Sequence, residues 1–218
     1  MTLEKNINMK NVETEFASRL LEVQAVKVQP DAPFTWASGW KSPFYCDNRK
    51  TLSYPELRTF VKDNLVVLVK EFFAGADAVA GVATGAIAQG ALVADAMELP
   101  FCYVRSKAKD HGMGNLIEGT LPEGSKVVVV DDLISTGGSS LKAVEALRAA
   151  GFEVVGMVAA YTYGFPVAEA AFREAGVKLV TLTNYEAVVK VATETGYITR
   201  EQQPTLDEWR KDPANWKK

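Results

Sequence analysis

The chain has little of what marks several specialised classes of protein. Among its 218 residues only Cys46 and Cys102 are cysteine, and His111 is the single histidine. Neither cysteine lies in a CxxC pair or in a Cys/His cluster with zinc spacing. A disulfide framework and a zinc module are therefore excluded, and two reduced thiols are expected in a cytoplasmic protein.

Positive charge is not in excess either. The chain carries 24 Lys and Arg against 27 Asp and Glu, a formal charge of -3, so a general nucleic-acid-binding surface is not expected. The longest uncharged stretch, between Asp77 and Asp95, is interrupted by Gly81 and other helix-disfavouring or polar residues and predicts no membrane span. The polar start, with Glu4 and Glu13, predicts no signal or transit peptide.

What the sequence does contain, from about residue 76, is an alternation of aliphatic runs with helical segments. The predicted strands are 78–82, 101–104, 127–130, 154–161 and 178–182, and the predicted helices are 86–97, 139–150, 166–175 and 184–194. Upstream, 11–25 and 55–73 are predicted helices and 28–50 an irregular segment. The pattern predicts one domain, of the α/β class, with a doubly wound, mainly parallel five-stranded sheet. Its ligand site should lie beyond the carboxyl ends of the strands.

The strongest motif is VVVVDDLISTGGSS, residues 127–140, where a buried strand leads into two acids and then a turn of glycines and hydroxyls. Such a turn at a helix N-terminus suits a phosphate monoester. Asp131 and Asp132 would repel that phosphate, so they are expected to face sugar hydroxyls, directly or through a metal-bound water. The alternative is an ordinary βα turn with a hydroxyl cap, which the paired acids disfavour. No GxGxxG or GxxxxGK[ST] motif is present.

A second motif, YVRSKAKDHGMGNLIEG, occupies residues 103–119. Its basic side chains are Arg105, Lys107, Lys109 and His111, and its glycines are typical of a movable lid. Cations in that position can stabilise the charge that gathers on a departing diphosphate. The alternative is a solvated surface loop.

Two weaker segments complete the candidate site. AGVATGAIAQGA, residues 80–91, could hold diphosphate oxygens on the backbone N–H groups of a turn, or could be a small-residue turn packed under a helix. FTWASGWKSPFYCDNRK, residues 34–50, could sandwich a planar base with Phe44 or Tyr45. Alternatively, this aromatic-rich loop covers a core.

Taken together, these segments resemble type I phosphoribosyltransferases, and specifically orotate phosphoribosyltransferases. The 127–140 motif resembles their binding motif for 5-phosphoribosyl-1-diphosphate (PRPP), 105–111 their mobile catalytic loop, and 38–45 their SGxxSPxY hood. The resemblance implies the type I fold, with a small hood of about residues 1–50, a core of about 55–196 and a C-terminal tail. The implied reaction transfers the 5-phosphoribosyl group from PRPP to orotate, giving orotidine 5'-monophosphate and diphosphate in pyrimidine biosynthesis.

The resemblance also assigns roles. The implied catalytic residues are Arg105, Lys109 and His111. The implied PRPP-binding residues are Lys27, Thr84, Gly85, Arg105, Lys109, His111, Asp131, Asp132, Leu133, Ile134, Ser135, Thr136, Gly137, Gly138 and Ser139. The implied orotate-binding residues are Phe44, Tyr45 and Ser135. Mg²⁺ is implied as the cofactor, held through PRPP near Asp131 and Asp132 without direct protein ligation. A homodimer is implied, with the 105–117 loop reaching the neighbouring site.

The chain departs from that family's pattern at three positions, the first being Thr84, where many members have a lysine. Ser106 replaces a second basic loop residue, and Tyr163 replaces an arginine that contacts orotate in many members. Recognition of the orotate carboxylate is then left to backbone N–H groups, Ser135 or Arg49. A purine phosphoribosyltransferase, or a non-catalytic PRPP-binding regulator, is the alternative function.

Overall fold

The computed structural model describes residues 2–36, 39–107 and 116–217. Its strands in chain order are β1 (Val26–Val28), β2 (Phe34–Thr35), β3 (Lys41–Ser42), β4 (Phe44–Cys46), β5 (Ala78–Val82), β6 (Phe101–Val104), β7 (Ile117–Glu118), β8 (Lys126–Ile134), β9 (Glu153–Thr162) and β10 (Leu179–Asn184). Its α-helices are α1 (Thr2–Glu22), α2 (Pro55–Phe72), α3 (Ile87–Met97), α4 (Gly138–Ala149), α5 (Pro166–Glu174), α6 (Tyr185–Glu194) and α7 (Gln203–Lys211). Short 3₁₀ helices span Asn48–Ser53 and Arg200–Gln202.

The central sheet has the strand order β10-β9-β8-β5-β6-β7 in the described part of the chain. The first five strands of that order are parallel, which confirms the predicted architecture. A short sixth strand, β7, was not predicted and pairs antiparallel with β6. Because β7 has only two residues, it leaves no hydrophobic run long enough to indicate a strand.

The sheet is buried on both faces, as its aliphatic strands require. Val127 to Val130 of β8 have no exposed surface, and burying each such side chain contributes roughly 1.5–3 kcal/mol. Helix α2 starts with Pro55 at its first turn and turns Val61 and Leu65 toward this core. Helix α4 ends before Gly151, whose φ of +86° suits the left-handed residue after a helix.

Three predicted boundaries differ from the structure. Helix α1 begins at Thr2 rather than residue 11, because its polar first turns carry no apolar periodicity. Segment 28–50 is not wholly irregular: β4 pairs with β1 and β3 with β2 in two small antiparallel ladders. Strand β8 also continues through the two acids to Ile134 instead of ending before them.

The topology places two loops side by side. Strand β5 lies between β6 and β8, so the chain reverses its direction of winding there, and crevices for ligands form at such points. The loops that follow β5 and β8 therefore meet at the same edge of the sheet. No helix in the described residues is both long and apolar enough to cross a lipid bilayer.

Candidate active site

The acidic pair lies where β8 reaches the carboxyl edge of the sheet. Asp131 is buried, and its carboxylate accepts hydrogen bonds from the Ser140 hydroxyl at 2.6 Å and the Asp132 backbone N–H at 2.8 Å. Burial, reinforced by the charge of Asp132, raises the pKa of Asp131 well above its ordinary value. Burial also raises the pKa of Asp132. Two carboxyl groups held in this way favour ligands that donate hydrogen bonds or carry positive charge.

The loop after β5 contacts this pair directly. A Cβ added at Gly85 would overlap the carboxylate of Asp132, so only glycine allows the two loops to approach this closely. Thr84 beside it is exposed, and the Ala83–Thr84 peptide bond is cis. The predicted diphosphate loop and the predicted ribose acids are thus brought together.

The turn after the acids forms the start of α4. Gly137 has a φ of +81° and precedes the first helical residue, Gly138. No side-chain cap bonds the first N–H groups of this helix in the described structure, which leaves them available for an anion. Ser135 is half-buried, whereas Thr136 and Ser139 are exposed beside these N–H groups.

Not every residue of the motif can face a ligand through its side chain. Ile134 is fully buried in the core, and Leu133 packs partly against that core. Their side chains belong to the interior, so the prediction that they bind PRPP can apply to their backbone groups only.

A chain of hydrogen bonds connects the backbone of Asp132 to the 3₁₀ helix after β4 and to α3. The sequence motifs did not predict it. The Asn48 amide donates to the Asp132 carbonyl oxygen at 2.5 Å. Thr51 in turn donates to the Asn48 carbonyl oxygen at 2.6 Å, and Gln89 of α3 donates to Thr51 at 3.4 Å. Asn48 is followed in the chain by Arg49 and lies 84 residues from Asp132, so no local pattern signals the contact.

The cationic side of the site lies beyond β6. Arg105 is half-buried, and its guanidinium donates to the Glu118 carboxylate at 3.4 Å. It lines a cavity of about 560 Å³ between the loop after β5 and the start of α4, together with Ser139 and Lys142. Lys142 is a further basic residue that lines this cavity, and none of the sequence motifs includes it. Lys109 and His111, predicted for the same loop, lie outside the described residues, as does Ser38 of the hood motif.

The hood presents one aromatic residue outward and the other inward. Tyr45 of β4 pairs directly with Lys27 of β1, so both side chains lie on the same face of the ladder. Tyr45 is 37% exposed, and its ring lies 5.5 Å from that of Phe34. Phe44 points to the opposite face, as alternation along a strand requires, and has no exposed surface. Phe44 was predicted to bind the base, but its side chain belongs to the core and Tyr45 is the ring available to a ligand.

Tyr163 does not take over the missing arginine's contact with a ligand. It is buried just after β9, and its ring packs against that of Phe44. Arg49 is largely exposed on the other side of β4, where its guanidinium donates to both carboxylate oxygens of Asp47 at 2.7 and 3.0 Å. Those bonds use two of its five N–H groups, and the guanidinium is within electrostatic reach of Tyr45 and Asp132.

The described residues contain no group of three acidic, histidine or cysteine side chains placed to hold a metal ion. The oxygen donors of Asp131 and Asp132 nevertheless suit a hard cation such as Mg²⁺. Since burial raises both pKa values, a positive charge brought by a ligand would relieve an unfavourable environment. The oxygen donors of the pair therefore fit a hard cation such as magnesium.

A doubly wound sheet whose switch point carries an acidic pair, a glycine- and hydroxyl-rich turn and a close glycine loop is the arrangement expected of a phosphoribosyltransferase. Residues 55–194 match the family model of the phosphoribosyl transferase domain. The chain is 72% identical over 208 residues to the orotate phosphoribosyltransferase of Bacteroides fragilis, with 95% of this chain and 98% of that one covered.

Solved structures agree. The crystal structure of orotate phosphoribosyltransferase from Aeropyrum pernix has a TM-score of 0.72 and 32% identity, covering 84% of this chain and 99% of that one. The Mycobacterium tuberculosis orotate phosphoribosyltransferase in complex with PRPP has a TM-score of 0.64 at 23% identity, covering 84% and 99%, and shows the same fold. The chain belongs to the orotate phosphoribosyltransferase family, and the transfer of the phosphoribosyl group from PRPP to orotate is its reaction.

Proposed function

We propose a division of labour in which the β8 side holds the sugar phosphate and the hood holds the base. In this proposal, the 5-phosphate of PRPP binds the N–H groups at the start of α4 and the hydroxyls of Ser135, Thr136 and Ser139. Asp131 and Asp132 accept hydrogen bonds from the ribose hydroxyls. The contact between Gly85 and Asp132 is the observation that carries this proposal, because it sets the spacing between the ribose and the diphosphate.

The diphosphate is assigned to the opposite side of that contact. Backbone groups at Thr84 and Gly85 face its oxygens, and Arg105 lines the adjoining cavity. We assign Lys109 and His111 to the same leaving group, in a 105–117 loop that closes over the neighbouring subunit of a homodimer. Lys27, beside Tyr45, completes the cationic surroundings of PRPP.

The chemistry follows from this placement. The bond between C1 of the ribose and the diphosphate oxygen breaks, and its electron pair leaves with the diphosphate. N1 of orotate forms the new bond to C1, and its proton passes to the departing diphosphate, which becomes more basic as the C1–O bond breaks. Arg105, Lys109 and His111 stabilise the growing negative charge more than they stabilise bound PRPP, which lowers the barrier. Mg²⁺ supplies further charge neutralisation on the diphosphate, and the chain itself supplies orientation.

Orotate is assigned to the outward face of the hood. Its ring is proposed to stack on Tyr45, with Ser135 at its edge, because Tyr45 combines exposed aromatic surface with a neighbouring cation. Arg49 is the guanidinium on this side with N–H groups that Asp47 does not occupy. It is therefore the side chain that we assign to the orotate carboxylate, in a bidentate contact.

A substrate panel tests the assignment of the base. The purified protein, with PRPP and Mg²⁺, is incubated separately with orotate, hypoxanthine, adenine and xanthine, and consumption of each base is followed by absorbance. We expect loss of orotate absorbance only, and none when PRPP is left out. Consumption of a purine in place of orotate would refute the hood assignment while leaving the PRPP site standing.

A further inference from the structure

Helix α7 places the side chain of Trp209 between the hood and the central sheet. The cluster of aromatic rings at this contact is the aromatic joint. Trp209 has no exposed surface, although α7 follows the last strand and helix of the core. Within the described residues its indole N–H has no hydrogen-bond partner. Ring contacts therefore hold Trp209 in place. Its contribution to the stability of this region comes from the shape of the indole and from its burial.

The rings around Trp209 come from three separate parts of the chain. Their centroids lie between 5.7 and 6.5 Å from the Trp209 ring, and they belong to Trp36 and Phe44 of the hood, Tyr163 and Phe165 after β9, and Tyr185 of α6. Phe44 stacks on Trp209 with an interplanar angle of 6°. Trp209 therefore packs against both the hood and the carboxyl edge of the sheet.

This joint fixes the strand that carries Tyr45. The Trp36 indole donates to the Phe44 carbonyl oxygen at 3.1 Å, on one side of Tyr45. The Tyr163 ring packs edge-on against the Phe44 ring, with the two centroids 5.7 Å apart. Trp36 and Tyr163 both contact Trp209, so Phe44, the residue before Tyr45, is held by residues that pack on the tail.

Helix α7 is itself anchored by the residue after the tryptophan. Arg210 donates to the Gly164 carbonyl oxygen at 2.6 Å and to the Glu186 carboxylate at 3.0 Å. Its guanidinium also lies 5.2 Å from the ring centroids of both Phe165 and Tyr185. These contacts fix the register of α7, so that Trp209 faces the joint.

We propose that Trp209 is a positioning residue for orotate: it sets the place and angle of Tyr45 through Phe44 and Trp36. The inference rests on the proposed stacking of orotate on Tyr45. Loss of the indole would let β4 move toward the space that the ring had filled. Because the acidic pair and the 135–139 turn are outside this aromatic cluster, PRPP binding would change less than orotate binding, even though Lys27 pairs with Tyr45.

The test compares Trp209→Ala with Trp216→Ala. Trp216 is also a buried tryptophan of the tail, with 6% of its surface exposed, but it has no ring contact with this cluster in the described structure. We expect Trp209→Ala to raise the KM for orotate about tenfold while the KM for PRPP changes less than about twofold. Trp216→Ala should change neither constant, even where it lowers the Tm.

Chemical rescue separates positioning from a general loss of stability. Added indole should refill the space left in Trp209→Ala and bring the KM for orotate back toward the wild-type value, with no effect on Trp216→Ala. Trp209→Phe, which keeps a smaller ring, should give an intermediate KM for orotate and decides the question where Trp209→Ala does not fold. Equal losses toward both substrates, or a wild-type KM for orotate in Trp209→Phe and Trp209→Ala, would overturn the proposal.

A third variant distinguishes the positioning role of Trp209 from the stacking of orotate on Tyr45. Tyr45→Leu should raise the KM for orotate at least as much as Trp209→Ala does. If Tyr45→Leu has an effect and the Trp209 variants have none, the positioning role fails while the stacking stands. If Tyr45→Leu leaves the KM for orotate unchanged, the stacking itself is wrong.

Discussion

The proposed phosphate side and the proposed base side of this site are built in opposite ways. The phosphate side centres on one continuous segment, 131–139, which combines polar, partly buried groups with a helix N-terminus and meets the loop at Gly85. The base side is assembled from distant segments: Tyr45 follows Phe44 in β4, and Phe44 packs on Tyr161 of β9 and on Trp209 of the tail. The first depends on close polar contacts and the second on aromatic packing.

The two sides also differ in their effect on the stability of the folded protein. The buried acidic pair is unfavourable for the unliganded protein, since burial raises both pKa values. The aromatic joint is favourable, because each buried aromatic contributes both apolar area and ring contacts of roughly 0.5–1.5 kcal/mol per pair. The aromatic contacts around the proposed base site thus stabilise the fold, whereas the buried acids at the proposed sugar site destabilise it.

The largest expected effect tests the close contact on the phosphate side. Gly85→Ala places a methyl group against the Asp132 carboxylate, so the acid and the diphosphate loop must separate. We expect kcat/KM for PRPP to fall by about a hundredfold, as for a displacement of roughly 1 Å in a reacting site. Steady-state kinetics at saturating orotate measures it.

Gly75→Ala is the matched control. No atom lies within 4 Å of a Cβ added at Gly75, and the substitution should leave kcat/KM unchanged. Wild-type kinetics in Gly85→Ala would contradict the view that the two loops depend on this contact.

A smaller effect is expected at the polar link between the two sides. Asn48→Ala removes the donor to the Asp132 carbonyl oxygen and should raise the KM for PRPP about threefold to fivefold, the size expected for one hydrogen bond. Asn64→Ala is the control, since Asn64 also donates to a backbone carbonyl, that of Phe60 at 2.8 Å, but lies in α2. Similar kinetics in the two variants would show that Asn48 plays no part in placing the acid.

The same contrast explains which parts of the molecule the sequence could predict. The five parallel strands and the motif at 127–140 could be predicted because a buried strand and the turn that follows it are local in sequence. Asn48 and Trp209 could not be predicted, because their roles depend on contacts formed only by the folded chain. Phe44 was misassigned since two adjacent aromatic residues look alike until the register of β4 against β1 decides which one faces inward.

The smallest effect concerns stability rather than catalysis. Because the folded protein raises the pKa of Asp131 to about 8, the folded state holds this proton more tightly than the unfolded chain does. The stability linked to this carboxyl is fully present below the ordinary pKa of about 3.9 and is lost as the pH rises toward 8. Asp131→Asn removes that loss, and its amide can still bond Ser140 and the Asp132 N–H.

We therefore expect Asp131→Asn to raise the Tm at pH 8 without ligands, by about 2–4 °C for each 1 kcal/mol of stability that ionisation of Asp131 removes, with the difference shrinking toward pH 4. Thermal unfolding at several pH values measures it, and the exposed Asp63→Asn serves as the control. A Tm difference that stays constant between pH 4 and pH 8 would show that ionisation of Asp131 is not the cause.

The central claim is that the sugar phosphate binds where the 131–139 segment meets the loop at Gly85. Calorimetric titration of PRPP with Mg²⁺ into the wild type, Gly85→Ala and Gly75→Ala tests it without any turnover. The account predicts equal affinities for the wild type and Gly75→Ala, and an affinity at least about tenfold weaker for Gly85→Ala. PRPP bound equally tightly by all three proteins would contradict it.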